Sequence, residues 1–334
     1  MLSNYKSGIC TFLALFSIIS PIFATISQNR KQIESNHQTI VVDPSKQGAF
    51  KSIQSAIDSV PSNNQKWTTI DIKQGVYKER VKIPRDKQFI YLKGAGKENT
   101  LIVYNAEGGI DSSATFTSEA DNTLAKDITF TNSYNSPPNR NGNPIARALA
   151  ARIQGDKSGF YRCGFFSVQD TLWDDHGRHF FKSCTIQGAV DFIFGAGQSQ
   201  YQSCTISIAA PNGGYITAQA RGVPEDSSGF VFNSCNIVGR GRVYLGRPWR
   251  DYARVLFYNT SMSNVVSPQG WFASTVSGKE ELSEYGCSGP GAKRSKRVRW
   301  EKKLSEREVN QLTSISFIDN NQSWVNQASQ ILGV

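Results

Sequence analysis

A short phrase returns through the middle of the chain: GFYRCGF around Cys163, FFKSCTI around Cys184, QYQSCTI around Cys204 and VFNSCNI around Cys235, with VLFYNTSM near Thr260. The cysteines are 21, 20 and 31 residues apart. Each phrase alternates aromatic or β-branched residues with small polar ones, the pattern of a short strand, and Gly, Asn and Asp turn signals fill the intervals. A strand recurring about every 20 to 30 residues, with no amphipathic helix between, is what a parallel β-helix requires. Each coil would stack its cysteine on the one below. TIDIKQGVYKERVKI, FIYLKGAG, TLIVYN and KDITFTNS extend the rhythm towards the N-terminus, so the solenoid is expected over about residues 38 to 300.

A solenoid needs covered ends, because an open coil exposes core and unpaired strand edge. FKSIQSAIDSVP places Phe50, Ile53, Ala56, Ile57 and Val60 on one helical face, with Pro61 as a stop, and predicts a short helix over the first coil. Ser305 and Glu308 form a capping box for a terminal helix. The first 24 residues, with Lys6, an apolar run from Thr11 to Ser20, Pro21 and a small residue at Ala24, read as a cleaved signal peptide; residues 25–37 are then a short extension and 38–334 the β-helix domain. Export leaves five mature cysteines, Cys163, Cys184, Cys204, Cys235 and Cys287, and fits the sequons at Asn259 and Asn321. The net charge of +10 gathers partly in AKRSKRVRWEKK, where Lys293, Arg294, Lys296, Arg297, Arg299, Lys302 and Lys303 face only Glu301. An exported basic protein points to a polyanionic partner; a solvated tail is the plainer reading, and export argues against nucleic acid.

Two acids stand in apolar company. Asp170 lies seven residues after Cys163 and Asp191 seven after Cys184, so both occupy one phase of successive coils. Strands stack about 4.8 Å apart, and two carboxylates so placed cannot both ionise cheaply: one should keep its proton while the other stays charged. The ordinary alternative, two solvated turn aspartates, fits poorly with Phe165, Phe166, Trp173, Phe192 and Phe194 around them. A close carboxylate pair suits a retaining glycosidase as well as an esterase. There is no G-x-S-x-G elbow. Asp174, Asp175, His176 and His179 share one short polar turn and are not expected to hold a metal, and KGAGK at 93–97 reads as a turn between strands rather than a phosphate loop.

GVYKE at 75–79, QGDKSGFYRC ending at Cys163, QDTL at 169–172, DFIFG at 191–195 and LGRPW at 245–249, in that order, resemble the plant pectin methylesterase family in its short form, without an N-terminal inhibitor-like domain. The resemblance implies a right-handed parallel β-helix and a secreted carboxylic ester hydrolase of the cell wall, which converts methyl-esterified homogalacturonan to pectate and methanol. It implies Asp191 as nucleophile, Asp170 as acid and then base, Gln169 as oxyanion donor, and Arg247 as the group that holds Asp191 ionised. Trp249, with Trp271 and Phe192, is expected against the sugar. A Cys184–Cys204 bridge, glycans on Asn259 and Asn321, a proteinaceous inhibitor as a further partner and a monomeric state complete the expectation. No cofactor, nucleic acid or membrane enters it, the leader apart.

Two positions depart from the family. A second oxyanion glutamine is replaced by Arg147 in RALAARI, and a tryptophan expected near Ser274 is missing. A guanidinium can donate to an oxyanion, or pair with an aspartate instead. Losing one oxyanion donor typically costs on the order of 10²- to 10³-fold in turnover. A catalytically weak pectin-binding wall protein therefore stands beside the esterase, and a chain-cleaving lyase or glycosidase on the same fold stands third.

Overall fold

The computed structural model describes residues 38–135 and 145–334. The expected signal peptide, with Cys10, and the extension to residue 37 lie outside the described residues.

One face of the molecule is a ten-stranded sheet in chain order, from Gln38–Val42 to Glu281–Tyr285, every strand parallel to its neighbours. A second face runs through Gly75–Tyr77, Thr100–Tyr104, Thr129–Asn132, Gly164–Phe166 and Thr185–Gly188. The third runs through Val81–Ile83, Phe116–Ser118, Ala151–Ile153, Leu172–Asp174 and Val190–Gly195. In the later coils the second and third faces merge, because Thr205–Gln219 and Asn236–Pro248 run round the corner without a break in strand; their register shifts between Ala210 and Gly214. The chain is thus a three-faced parallel β-helix.

The repeated phrase is the corner between the first and second faces. The residue before each of these cysteines, Arg162, Ser183, Ser203 or Ser234, has left-handed backbone with φ between 50° and 55°, and Asn259 before Thr260 is left-handed too, at 46°. A non-glycine residue at positive φ is uncommon, and its recurrence once per coil marks a corner the stacked neighbours enforce. The turn sends the next side chain inward, so that Cys163, Cys184, Cys204, Cys235, Thr260 and Cys287 form one internal column. The Cys184–Cys204 bridge is not formed. Both are free thiols, each with its Sγ donating to a carbonyl of the preceding coil, Cys184 to Phe160 and Cys204 to Phe181, both at 3.3 Å.

Three residues before each of the first five members of that column stands an inward aromatic, and before Cys287 stands Glu284. Phe160, Phe181, Tyr201, Phe232 and Phe257 stack over five coils with centroids 5.1, 4.7, 4.5 and 4.4 Å apart and planes within 12° of parallel. Such pairs contribute about 0.5–1.5 kcal/mol beyond their burial, and they fix the register of coil on coil.

The first coil is covered by the helix Ile53–Asp58, which buries Ile53, Ala56 and Ile57. Ser52 caps it, and the Glu79 carboxylate accepts from the backbone N–H groups of Ile53 and Gln54, both at 2.9 Å. Glu306–Thr313 begins with the expected capping box at Ser305 and Glu308. The last helix, Trp324–Leu332, does not close the far end; it lies on the first face over Tyr91, Leu124, Tyr161 and Phe180. The last coil is covered instead by Ala292, Val298 and Trp300, the apolar side chains of the basic segment.

Removing one ring from the aromatic column opens a cavity that rigid neighbours cannot fill. Phe181→Ala should lower stability by about 3–5 kcal/mol, and Phe181→Leu by clearly less, in urea unfolding followed by tryptophan fluorescence.

Candidate active site

Parallel bridges join Arg147 to Gln169 and Gln169 to Val190, so three successive coils present these positions side by side on the third face. Asp170 and Asp191 follow Gln169 and Val190, and both have left-handed backbone, with φ of 59° and 46°. Aspartate tolerates this region better than most residues, which is why a carboxylate can occupy a turn that breaks strand alternation. The Asp170 N–H donates to the Val190 carbonyl at 3.1 Å, tying one turn to the coil above. The two carboxylates line a cleft of about 630 Å³ together with Gln169, Arg147, Arg247 and Trp249.

The two acids differ in their surroundings. Asp191 receives both arms of Arg247: Nε reaches Oδ1 at 2.9 Å and Nη2 bonds Oδ2. That guanidinium is braced in turn, with Cζ 4.5 Å from the centre of the Tyr215 ring, which stacks on Tyr244 at 5.8 Å. Asp170 is only 7% exposed, and its nearest cation is the Arg147 Nε at 3.7 Å on a largely exposed side chain. Burial above all, then the charge of Asp191, pushes the Asp170 pKa up to about 7 against the pull of Arg147 and Arg247. A carboxyl that keeps its proton near neutrality beside one held between guanidinium N–H groups is an arrangement that can offer an acid and a nucleophile side by side. Gln169 lines the cleft next to Asp170, and its amide has no hydrogen-bond partner among the described residues.

An aromatic strip extends from the dyad. Arg152 covers Trp173 at 3.9 Å, Trp173 stacks on Phe194 at 5.6 Å, and Phe194 meets Trp249 at 5.9 Å. Trp249 is 45% exposed and presents an open face to the cleft. Two expected sugar contacts are corrected. Phe192 is 0% exposed, packed inside the solenoid against Gly188, where even an added Cβ would collide with its side chain. Trp271 is 1% exposed and packs 5.9 Å from Phe257 at the end of the aromatic column. Ser274 does line the cleft, on a wall that runs from Phe272 to Ser277. Glu280 steadies that wall by accepting from the N–H groups of Ser277 at 2.7 Å and Gly278 at 2.9 Å.

Sequence reading missed Phe194 as a lining residue, along with Phe272, Arg250 and the Tyr215 brace. Simple alternation would have turned Phe194 inward with Phe192; Phe192 and Ile193 both face the core, and this break in alternation at an irregular register brings Phe194 out to the cleft. The polar turn splits in two. Asp174 and His179 are fully buried, with His179 Nδ1 2.5 Å from Asp174 Oδ1 and Nε2 3.1 Å from the Gly155 carbonyl, while the Tyr201 hydroxyl donates to Asp174. Asp175 turns outward to Arg152 and His176. Among the described residues no three side chains converge as metal ligands.

The Pectinesterase family profile matches residues 39–321. The chain is 51% identical over 298 residues to probable pectinesterase 29 of Arabidopsis thaliana, covering 86% of this chain and 89% of that protein. It is 49% identical over 303 residues to probable pectinesterase 55 of the same plant, covering 88% and 92%. Of solved structures, pectin methylesterase from carrot superposes with a TM-score of 0.81 at 32% identity, covering 87% of this chain and 95% of that one. The Aspergillus niger pectin methylesterase gives 0.75 at 28% identity, covering 87% and 96%.

A buried carboxyl that titrates near 7 when folded and near 4 when unfolded contributes stability that is present at low pH and lost as pH rises between those values. Asp170→Asn removes that dependence. Its stability relative to the parent should therefore improve by up to about 4 kcal/mol between pH 4 and pH 8, as read from urea unfolding at both.

Proposed function

The chain belongs to the pectinesterase family, and we propose that the dyad of its cleft performs the family's chemistry, the hydrolysis of galacturonate methyl esters in pectin. Asp191, ionised and aimed by Arg247, attacks the ester carbonyl, and the carbonyl electrons move onto oxygen to form a tetrahedral oxyanion. Gln169 donates its amide hydrogen to that oxygen. Collapse breaks the bond to the methoxy group, which takes the Asp170 proton and leaves as methanol. The acyl group is now on Asp191. Asp170, ionised by that transfer, accepts a proton from water as the water attacks the acyl carbonyl; Asp191 departs as carboxylate and Asp170 is protonated again. Trp249 offers a flat apolar face to a sugar ring. The supporting observation is the unequal pair itself: one aspartate held by two guanidinium arms, the other buried and proton-bearing on the adjacent coil.

Arg147 is not given the oxyanion role the family's glutamine would have. Its nearest partner is Asp170, and the guanidinium draws that carboxyl's pKa down without bringing it out of the neutral range. The proton needed for the leaving group is retained, which favours the esterase over a binder that lacks turnover.

The substrate belongs to the cell wall, and the apolar leader of the sequence supports export to it. Asn259 and Asn321 are both exposed and can carry glycans. A proteinaceous inhibitor and a monomeric state complete this reading.

Asp191→Ala should reduce methanol release from highly methylated pectin by at least about 10³-fold, measured on purified protein; retained release would sink the mechanism. For the parent, kcat/KM should fall as pH rises through about 7, where Asp170 loses its proton. Arg147→Gln should move that fall upward by about half a unit to one unit, because a nearby cation favours the ionised acid, and Arg147→Lys should leave it in place.

A further inference from the structure

The basic segment of residues 290–303 is built into the solenoid. While Ala292, Val298 and Trp300 cover the last coil, Arg297 enters the interior and pairs through both arms with the buried Glu284, at 2.6 and 2.9 Å. The one acid within the segment, Glu301, is buried too, and takes Arg294 at 2.8 Å and Lys303 at 3.2 Å. The anchoring is complete with these groups. Lys293, Lys296, Arg299 and Lys302 point outward, exposed, and have no ion-pair partner among the described residues.

A solvated face usually mixes both signs of charge, whereas here the segment's own acid is drawn inside and its outward cations, one of which, Lys302, feels the outside carboxylate of Glu308, are held on a short ordered ledge. The ledge is fixed to the cleft wall. Val298 N–H donates to the Gln269 carbonyl at 3.0 Å, and Arg297 donates to the Ser267 and Pro268 carbonyls at 3.2 and 2.9 Å; the chain then passes through Trp271 into the lining residues 272–277. The reaction assigned to that cleft turns neutral esters into carboxylates, so its product is a polyanion, formed at a wall that is continuous in the chain with the residues the segment is bonded to.

We propose that Lys293, Lys296, Arg299 and Lys302 form a second polysaccharide site, which binds the de-esterified, polyuronate stretch of the pectin chain. This rests on the esterase reading above. A nucleic acid would carry similar charge, but the segment's aromatic side chain, Trp300, is partly buried and packed against the core rather than presented with the four cations as a stacking platform for bases.

The test compares the full chain with two charge-matched variants. One is Lys293→Gln, Lys296→Gln, Arg299→Gln, Lys302→Gln; the other is Lys46→Gln, Lys66→Gln, Lys78→Gln, Lys93→Gln, on exposed lysines of the early coils. Binding to fully de-esterified polygalacturonate should weaken roughly tenfold or more at low salt in the first variant, as four exposed ion pairs are lost together, and much less in the second. The parent's affinity should fall as salt rises from about 0.01 to about 0.15 M. Equal losses in both variants would assign the binding to net charge, no loss in either would remove the ledge, and tighter binding to a DNA oligomer than to polygalacturonate would overturn the choice of partner. Equal thermal midpoints exclude misfolding. Methanol release from a fully methylated oligogalacturonide should be the same in all three proteins; its absence in the parent would count against the esterase reading, while direct binding to polygalacturonate reads the ledge separately.

Discussion

The spacing between hydrogen-bonded parallel strands, about 4.8 Å, is the constraint on which the molecule depends. It is the repeat of the inner aromatic column, of the cysteine column and of the dyad. Because one coil lies on the next in register, a residue type that returns after a coil's length becomes a spatial neighbour. Two aspartates 21 positions apart in the chain therefore meet with no long-range loop needed to bring them together. The rings inside and the acids outside are two readings of one register. A slip of a single residue would turn the rings out and separate the acids together.

The same constraint makes the site unequal. Each carboxylate lies between different neighbouring coils: Asp170 has the Arg147 coil on one side and the Asp191 coil on the other, while Asp191 is next to the coil that leads on to Arg247. Two identical side chains at one phase thus acquire opposite tasks from position alone. Stacking supplies proximity, and Arg247, two coils beyond Asp191, supplies the difference.

Much of this was legible in the sequence because a solenoid writes its contacts locally. The cysteine phrases located the corner, the seven-residue offset located the dyad, and FKSIQSAIDSVP located the cover of the first coil. What escaped depends on which way a side chain faces. Phe192 directly follows Asp191 and Trp271 lies 80 positions after it, but Phe192 follows the left-handed turn into the core and Trp271 packs beside Phe257 at the end of the aromatic column, so neither faces the cleft. Tyr215 belongs to a strand that rounds a corner through an irregular register, which no simple alternation reveals. The resemblance implied a bridge at Cys184 and Cys204, but their thiols are occupied with carbonyls of the coils beneath. The basic run showed its charge without its inward arginine, and only packing separates an anchored cover from a solvated tail.

The cover on the last coil bears on how the molecules keep apart. A parallel β-helix ends in a strand whose free N–H and C=O groups could be extended by another copy, the route by which stacked sheets grow into fibres. Here the strand Glu281–Tyr285 ends the first face beneath a segment whose outward charged groups are all cationic. Two molecules meeting by these ends would bring like charges together before any backbone group could pair. The far end of the solenoid is thereby kept from becoming a template for itself.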